Sequence, residues 1–316
     1  MTATESSQAE KNYSKLLIVG DLIIDETHRV RVSKLSPEAP VPVAMKTTLR
    51  GIESLGGAGL AAGYAAKHSI PITFLTACSE KRKQWIRTFN IDISSLNVPE
   101  DIIKTRFIEA DSNYHLLRVD NDKVVSHPEP HLPRNIQNFK DMFTAALENN
   151  DIKVVVMLDY CKGILTDETL VQWMIGESHH KGIPVYVDTR SEELQRFRGV
   201  DILKLNEEEY RRACLTFNTQ TARVVMSKLK IKNLIITMGK RGACLHEIGP
   251  RGDTYRSPDL TKYDGTPDVT GCGDVFDVTF CYYWGIKEMW LVDSLVGSVN
   301  DATKFAYELI EERVSC

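Results

Sequence analysis

The chain has 316 residues, enough for one large α/β domain or two smaller ones with a substantial core. Lys and Arg number 39 against 43 Asp and Glu, a formal charge of −4, which argues against the concentrated basic surface of a nucleic-acid-binding protein. The 7 cysteines are scattered, with no Cys-x-x-Cys pair, and read as reduced thiols, not as a disulfide framework or a zinc site. No apolar run reaches membrane-spanning length, and residues 1–14 are polar, so they read as a loose tail on a soluble, cytoplasmic protein.

Leu16–Gly20 is a short continuous apolar run, as in a strand buried on both faces. Asp21 and Asp25 follow it, where α/β sheets hold ligands, although ordinary loop acids fit equally well. Over 28–50, Val30, Val32, Val41, Val43 and Met45 alternate with other residues and prolines intervene, which predicts an extended edge ribbon. Residues 104–119 form a second such patch. Two extended pieces without helices of their own predict a small sheet off the main body. Its apolar face needs a cover, either a substrate or a second subunit. Between them, Gly56-Gly57-Ala58-Gly59 opens a small-residue helix to Lys67, followed by a strand at 72–76 and a helix at 80–89.

From residue 135 the rhythm is regular. Helices at 135–148, 167–181, 207–215 and 219–229 alternate with strands at 154–158, 184–188, 202–205 and 234–237. That alternation predicts a mainly parallel sheet with its site at the strand C-termini. Polar clusters fall at such ends: Asp159–Gly163, Asp188–Arg190, Asn206–Glu209, Thr237–Gly242 and Asp268–Asp274.

In the last cluster Gly271 and Gly273 allow a sharp turn, and Val275, Phe276, Val278 and Phe280 predict a buried helix behind it. A glycine turn opening a helix aims unpaired N–H groups at one point, which suits a phosphate. Asp274 is placed to collect a hydroxyl proton, or else is an acid at a helix start. Asn206 and Glu209 can hold a hydrated Mg2+ or orient phosphate oxygens, or form a helix-start pair. Thr237, Gly239 and Gly242 make a small-residue turn open to a phosphate or a base. Lys162 and Arg190 on neighbouring strand ends, with Arg118 in the ribbon, can converge on an acceptor's phosphate; the competing partners are Asp159, Asp188 and Asp120. A Walker A loop, a Rossmann GxGxxG and a nucleophile elbow are all missing, which leaves phosphoryl transfer as the best fit.

Asp268-Val-Thr-Gly-Cys-Gly-Asp274 resembles the signature of the ribokinase-like (PfkB) sugar kinases, and Gly56-Gly57 resembles their N-terminal glycine signature. Gly20-Asp21 to Asp25, Ser36–Pro42, Asp159–Gly163, Phe197-Arg-Gly199 and Asn206–Glu209 are most similar to the D-glycero-β-D-manno-heptose 7-phosphate kinases within that family. The resemblance covers roughly residues 15–310 and implies one α/β domain over 15–316. Its fold would be a central, mostly parallel sheet flanked by helices, with a small β lid from about 28–50 and 104–119 through which a homodimer forms. It further implies ATP- and Mg2+-dependent phosphorylation of the anomeric hydroxyl of a heptose 7-phosphate, a precursor of ADP-heptose and surface polysaccharide.

By position, the resemblance makes Asp274 the base and the N–H groups of Gly271, Cys272 and Gly273 the anion hole. Asp25, Gly56 and Gly57 would contact the sugar, Asn206 and Glu209 would organise Mg2+ and phosphates, and Thr237 to Gly242 would line the nucleotide channel. Asp268 and Thr270 fall near the monovalent-cation (K+) site of some members. The chain departs from the pattern at Leu60, where the family has Asn, at Ala77-Cys-Ser-Glu80, where it has Gly-x-Asp, and at Val278 and Cys272. Cys316 also comes before the C-terminal glycine loop that helps cover adenine. The alternatives are a kinase of another sugar or sugar phosphate, and a catalytically weak regulatory protein that binds nucleotide or sugar. The intact Asp274 turn favours an enzyme.

Overall fold

A computed structural model describes residues 14–121, 133–149, 151–248, 252–263 and 267–308. The expected N-terminal tail, save Ser14, and the last residues to Cys316 lie outside the described residues. In chain order the strands are β1 (Lys15–Gly20), β2 (Leu22–Leu35), β3 (Pro42–Lys46), β4 (Ile52–Gly57), β5 (Ile72–Cys78), β6 (Ile93–Asn97) and β7 (Ile102–Glu109). They continue as β8 (His115–Asp120), β9 (Ile152–Asp159), β10 (Val185–Thr189), β11 (Ile202–Asn206), β12 (Asn233–Thr237), β13 (Ala243–Glu247) and β14 (Thr254–Arg256). The helices are α1 (Ala58–Lys67), α2 (Glu80–Arg87), α3 (Pro133–Asn149), α4 (Glu168–His180), α5 (Glu207–Thr216), α6 (Ala222–Leu229), α7 (Cys272–Cys281) and α8 (Leu291–Tyr307).

Nine strands form the main sheet in the order β14-β13-β12-β11-β10-β9-β1-β5-β6. Every pair from β12 to β6 is parallel, and only the β12-β13-β14 edge is antiparallel. The apolar runs dictate this burial: Leu16 to Val19 are all 0% exposed, because helices cover both faces of the sheet. Leu17 and Val19 face one core with Phe139 and Phe143 of α3, Leu170 and Met174 of α4 and Val225 of α6. Leu16 and Ile18 face the other, with the alanines of α1, Phe276 and Phe280 of α7 and Leu295 of α8. The period-2 alternation of one strand thus builds both layers.

The smaller sheet has the order β3-β2-β7-β8, with β4 paired to β2. It starts at Leu22, two residues after β1, and takes in 52–57, so the lid is larger than the two ribbons read from alternation. Asp25 therefore lies within a lid strand, paired with Ser54 of β4, and not in a loop after β1. β6, β13, β14 and α8 go beyond the sequence expectation. Ile93-Ser-Ser-Leu-Asn97 has no apolar run, and β13 and the edge strand β14 are only 5 and 3 residues long. Among the described residues no helix is long and apolar enough to cross a membrane.

Candidate active site

The turn before α7 is built around Gly271, whose φ of 82° is left-handed. That conformation favours glycine, and a Cβ on it would also press on Leu60, 2.7 Å from its Cδ2. Of the three expected anion-hole donors, Cys272 is spent: its N–H donates to Val269 O at 3.2 Å. The N–H groups of Gly271 and Gly273 have no such partner among the described residues, and Asp274's own N–H joins them as an open donor at the helix start. Asp274 is 7% exposed. Burial pushes its carboxyl up to about 6, helped by the charge of Asp188 and opposed by Tyr160, Lys204 and Arg190. The Tyr160 hydroxyl donates directly to Asp274 Oδ1.

Beside this turn lies a buried charge network that the sequence reading did not find. Lys204 of β11 is 3% exposed and pairs with Asp188 Oδ2 and Asp277 Oδ1, each at 2.9 Å. The Tyr186 hydroxyl donates to Asp277 Oδ1 at 2.7 Å. Burial works against the ammonium, but the two carboxylates outweigh it and hold its pKa above the ordinary value. Asp277 is pushed well up by burial and by Asp188. The signal was present: a lysine inside the apolar strand Ile202-Leu-Lys-Leu205 must find a partner when covered on both faces.

A cleft of about 550 Å³ opens at the C-terminal ends of β10 to β12, between them and α7 and α8. Of the expected site residues it brings together Asp274 and the Gly271–Gly273 turn with Arg190, Asn206 and Glu209, and with Thr237, Gly239, Gly242 and Thr270. Gly242, at φ 88°, is obligatory, since a Cβ there would meet Arg256 O of β14 at 1.9 Å. Val299, Ala302, Ala306 and Tyr307 of α8 supply an apolar wall, and Tyr307 stacks on Tyr263 at 4.9 Å, an aromatic surface suited to a base.

Asn206 and Glu209 form a reciprocal capping box. Asn206 Oδ1 accepts from Glu209 N at 2.9 Å, and Asn206 N donates to Glu209 Oε2 at 2.7 Å. The helix-start reading is thus correct, and it leaves one carboxylate oxygen of Glu209 uncommitted. Burial, then the charge of Asp188, raises the Glu209 carboxyl against the Asn206 N–H bond and the charges of Lys204 and Arg190. No group of three or more His, Cys, Asp or Glu among the described residues could hold a metal ion directly, so a divalent ion would need water and phosphate oxygens to complete its shell. Asp268 Oδ1 accepts from Thr270 N at 3.0 Å, and Asp268 N donates to Ala306 O at 2.9 Å.

On the lid side Asp25 and Gly56 lie against each other, because a Cβ on Gly56 would lie 2.3 Å from Asp25 Oδ2. Asp25 is also paired with Arg106 of β7 at 2.5 Å. Gly57 has φ 57°, and a Cβ there would come 2.7 Å from Asp21 O. Arg118 takes its competing partner, Asp120, at 2.9 Å. Lys162 donates its backbone N–H to Asp21 Oδ2 at 3.0 Å. None of Asp25, Gly56, Gly57, Arg118 and Lys162 lines the cleft itself. The register sets Lys104 of β7 opposite both Asp25 and Asp120, on the same face as Arg106 and Arg118. Lys104 and Arg190 have no ion pair among the described residues; Arg190 instead holds its guanidinium 4.8 Å from the centre of the Tyr160 ring.

The comparisons with known proteins agree with this architecture. Similar curated proteins include the bifunctional protein HldE of Klebsiella pneumoniae, 27% identical over 270 residues, which cover 82% of this chain and 53% of that protein. That of Trichlorobacter lovleyi is 29% identical over 274 residues, with 82% and 53% covered. The chain spans about half the length of these curated relatives. Among solved structures, a phosphofructokinase-2 mutant from Escherichia coli superimposes with a TM-score of 0.69 at 12% identity, covering 94% of each chain. Arabidopsis thaliana ribokinase complexed with ribose and ATP gives 0.65 at 15% identity, with 96% of this chain and 99% of the other covered. The profile of the pfkB family carbohydrate kinases matches residues 15–284, and the chain accordingly belongs to that family of sugar phosphotransferases.

Proposed function

We propose that this carbohydrate kinase transfers the γ-phosphoryl group of ATP to a sugar that already carries a phosphate, of the heptose 7-phosphate kind, at its anomeric hydroxyl. The observation that carries the acceptor class is the pair of cations, Lys104 on the lid and Arg190 on the body, which make no direct ion pair among the described residues although carboxylates lie near both. Burial lowers the Lys104 pKa, and the charges of Arg118 and Arg190 add to this against Asp25 and Asp120. Two like charges near one another, neither held in a direct ion pair, leave donors that a phosphate can take up. The resemblance of Asp159–Gly163 and Ser36–Pro42 to heptose 7-phosphate kinases supports the same reading.

In this reading Asp274 removes the proton from the acceptor hydroxyl as its oxygen attacks phosphorus. The open N–H groups of Gly271, Gly273 and Asp274 receive the charge that builds on the transferring group. Tyr307 and the α8 wall hold the adenine. Glu209, through water and assisted by Asn206, would hold Mg2+, which supplies neutralising charge to the phosphates. Asp268 and Thr270 would serve a K+ ion.

The test is an ADP-release screen over free sugars and sugar phosphates, with Asp274→Asn as control, repeated with Lys104→Met. A phosphorylated acceptor should be preferred, and Lys104→Met should raise its KM strongly while barely changing that of the free sugar. Equal activity on heptose and its 7-phosphate, indifferent to Lys104, would sink the sugar-phosphate assignment.

A further inference from the structure

The loop between β9 and α4 is held by more bonds than a connection needs. Tyr160 N and Lys162 N both donate to Asp21 Oδ2 at 3.0 Å, and Cys161 N donates to Asp159 Oδ1 at 2.9 Å. Asp159 Oδ2 in turn accepts from Thr189 Oγ1 and Arg196 Nη2, each at 2.6 Å. Asp21, Asp159, Thr189 and Arg196 are all buried. Cys161 sits at φ 58°, a left-handed conformation that non-glycine residues keep only when the surroundings impose it. A Cβ on Gly163 would come 2.6 Å from Asp21 Oδ1, so the loop is pressed onto that carboxylate as well. What all this anchoring sets in place is Tyr160, with its hydroxyl on Asp274 and the Arg190 guanidinium over its ring.

We propose that Tyr160 is a positioning residue for phosphoryl transfer: its phenol engages one oxygen of Asp274, holds the base in its carboxylate form and leaves the other oxygen for the acceptor hydroxyl. The inference rests on Asp274 being the base. A buried carboxyl favours its neutral acid, which cannot accept a proton, and a donated hydrogen bond opposes that. The groups facing Asp274 are Tyr160, Lys204, Asp188 and Arg190; Asp188 works against the charge and the other three support it. Lys204 is already committed to Asp188 and Asp277, and Arg190 to the face of the Tyr160 ring. Tyr160 is the one of the four that donates to the carboxylate itself. Burial, with the charge of Asp274 added, keeps the phenol protonated, so it remains a donor at any assay pH. A phenol that merely occupied the place of the acceptor hydroxyl would have the opposite consequence, because its removal would accelerate the reaction.

The experiment is the pH dependence of kcat for the wild type, for Tyr160→Phe and for protein carrying 3-fluorotyrosine at position 160, each checked by its melting curve. Phenylalanine keeps the ring beneath Arg190, and the fluorinated phenol keeps the fold while donating more strongly. Tyr160→Phe should move the acid limb up by about one pH unit, with kcat recovering to within about fivefold of wild type at the alkaline plateau. The fluorinated protein should move the limb down. Limbs that coincide with wild type, a uniform loss at all pH, or faster turnover at all pH would each overturn the proposal. Asp274→Asn in the same series separates the two ideas. If it retains wild-type turnover, the base assignment falls and this inference with it; if it is inactive while the Tyr160→Phe limb stays put, only the role of Tyr160 falls.

Discussion

The ammonium of Lys204 lies 3.5 Å from the point that a Cβ on Gly273 would occupy, so a buried cation stands beside the turn that presents Asp274. Because Lys204 also pairs with Asp188 and Asp277, the ends of β10 and β11 and the first turns of α7 are joined through charge as well as through packing. The geometry around the base is therefore carried by residues that Asp274 itself does not hold in place.

Asp274→Asn should consequently keep the fold and the nucleotide cleft while losing the base. Turnover should fall by about 10²–10⁴, the usual range for loss of a general base, with ATP affinity little changed. Steady-state kinetics with nucleotide binding measured separately checks this, and near-normal turnover would place the base elsewhere.

In the wild type, kcat should rise as the pH increases through about 6, where the Asp274 carboxyl ionises, and level off above it. The sign follows from the role, because only the carboxylate accepts a proton. A flat profile between pH 5 and 8 would contradict it.

Glu209→Gln should raise the Mg2+ concentration needed for half-maximal rate more than it alters sugar affinity. Glutamine can still accept the Asn206 N–H, so the capping box should survive and the melting temperature should change little. If the Mg2+ titration superimposes on that of wild type, Glu209 serves the helix start alone.

Asp21→Asn should change how stability depends on pH. Burial, then the charge of Asp159, raises the Asp21 carboxyl from 3.8 to about 7 against the N–H bonds from Lys162 and Tyr160. The folded protein then holds an extra proton between about pH 4 and pH 7, so this group's stabilisation is full at low pH and is lost as pH rises through 7. The variant lacks that loss, and its denaturation midpoint relative to wild type should improve steadily over the same window. Parallel curves for the two proteins would show that Asp21 ionises normally.

The lid should pair with a second copy of the chain. Met45 and Ile52 on one face of the lid sheet, and Leu117 and Val119 on the other, are all 49% or more exposed, apolar strand residues that a second copy would cover. Light scattering should report a dimer, and Leu117→Glu should dissociate it; a monomer at every working concentration would count against the idea.

The parallel core was legible because a strand covered on both faces needs apolar side chains at every position, as in Leu16–Val19 and Val154–Leu158. The Gly271–Asp274 turn was legible because its backbone conformation excludes a Cβ. Which charges pair was decided only by the tertiary structure. Asn206 and Glu209 spend atoms on each other, Arg118 takes Asp120, and the Cys272 N–H goes to Val269. Lys104, in an ordinary ribbon, faces Asp25 and Asp120 without a direct ion pair among the described residues, and Lys204, inside an apolar run, joins two carboxylates that lie 16 and 73 positions away in the chain. A charge's free energy depends on its desolvation and on what lies within a few ångströms, and those neighbours come from strand order and register, which no local stretch of sequence contains.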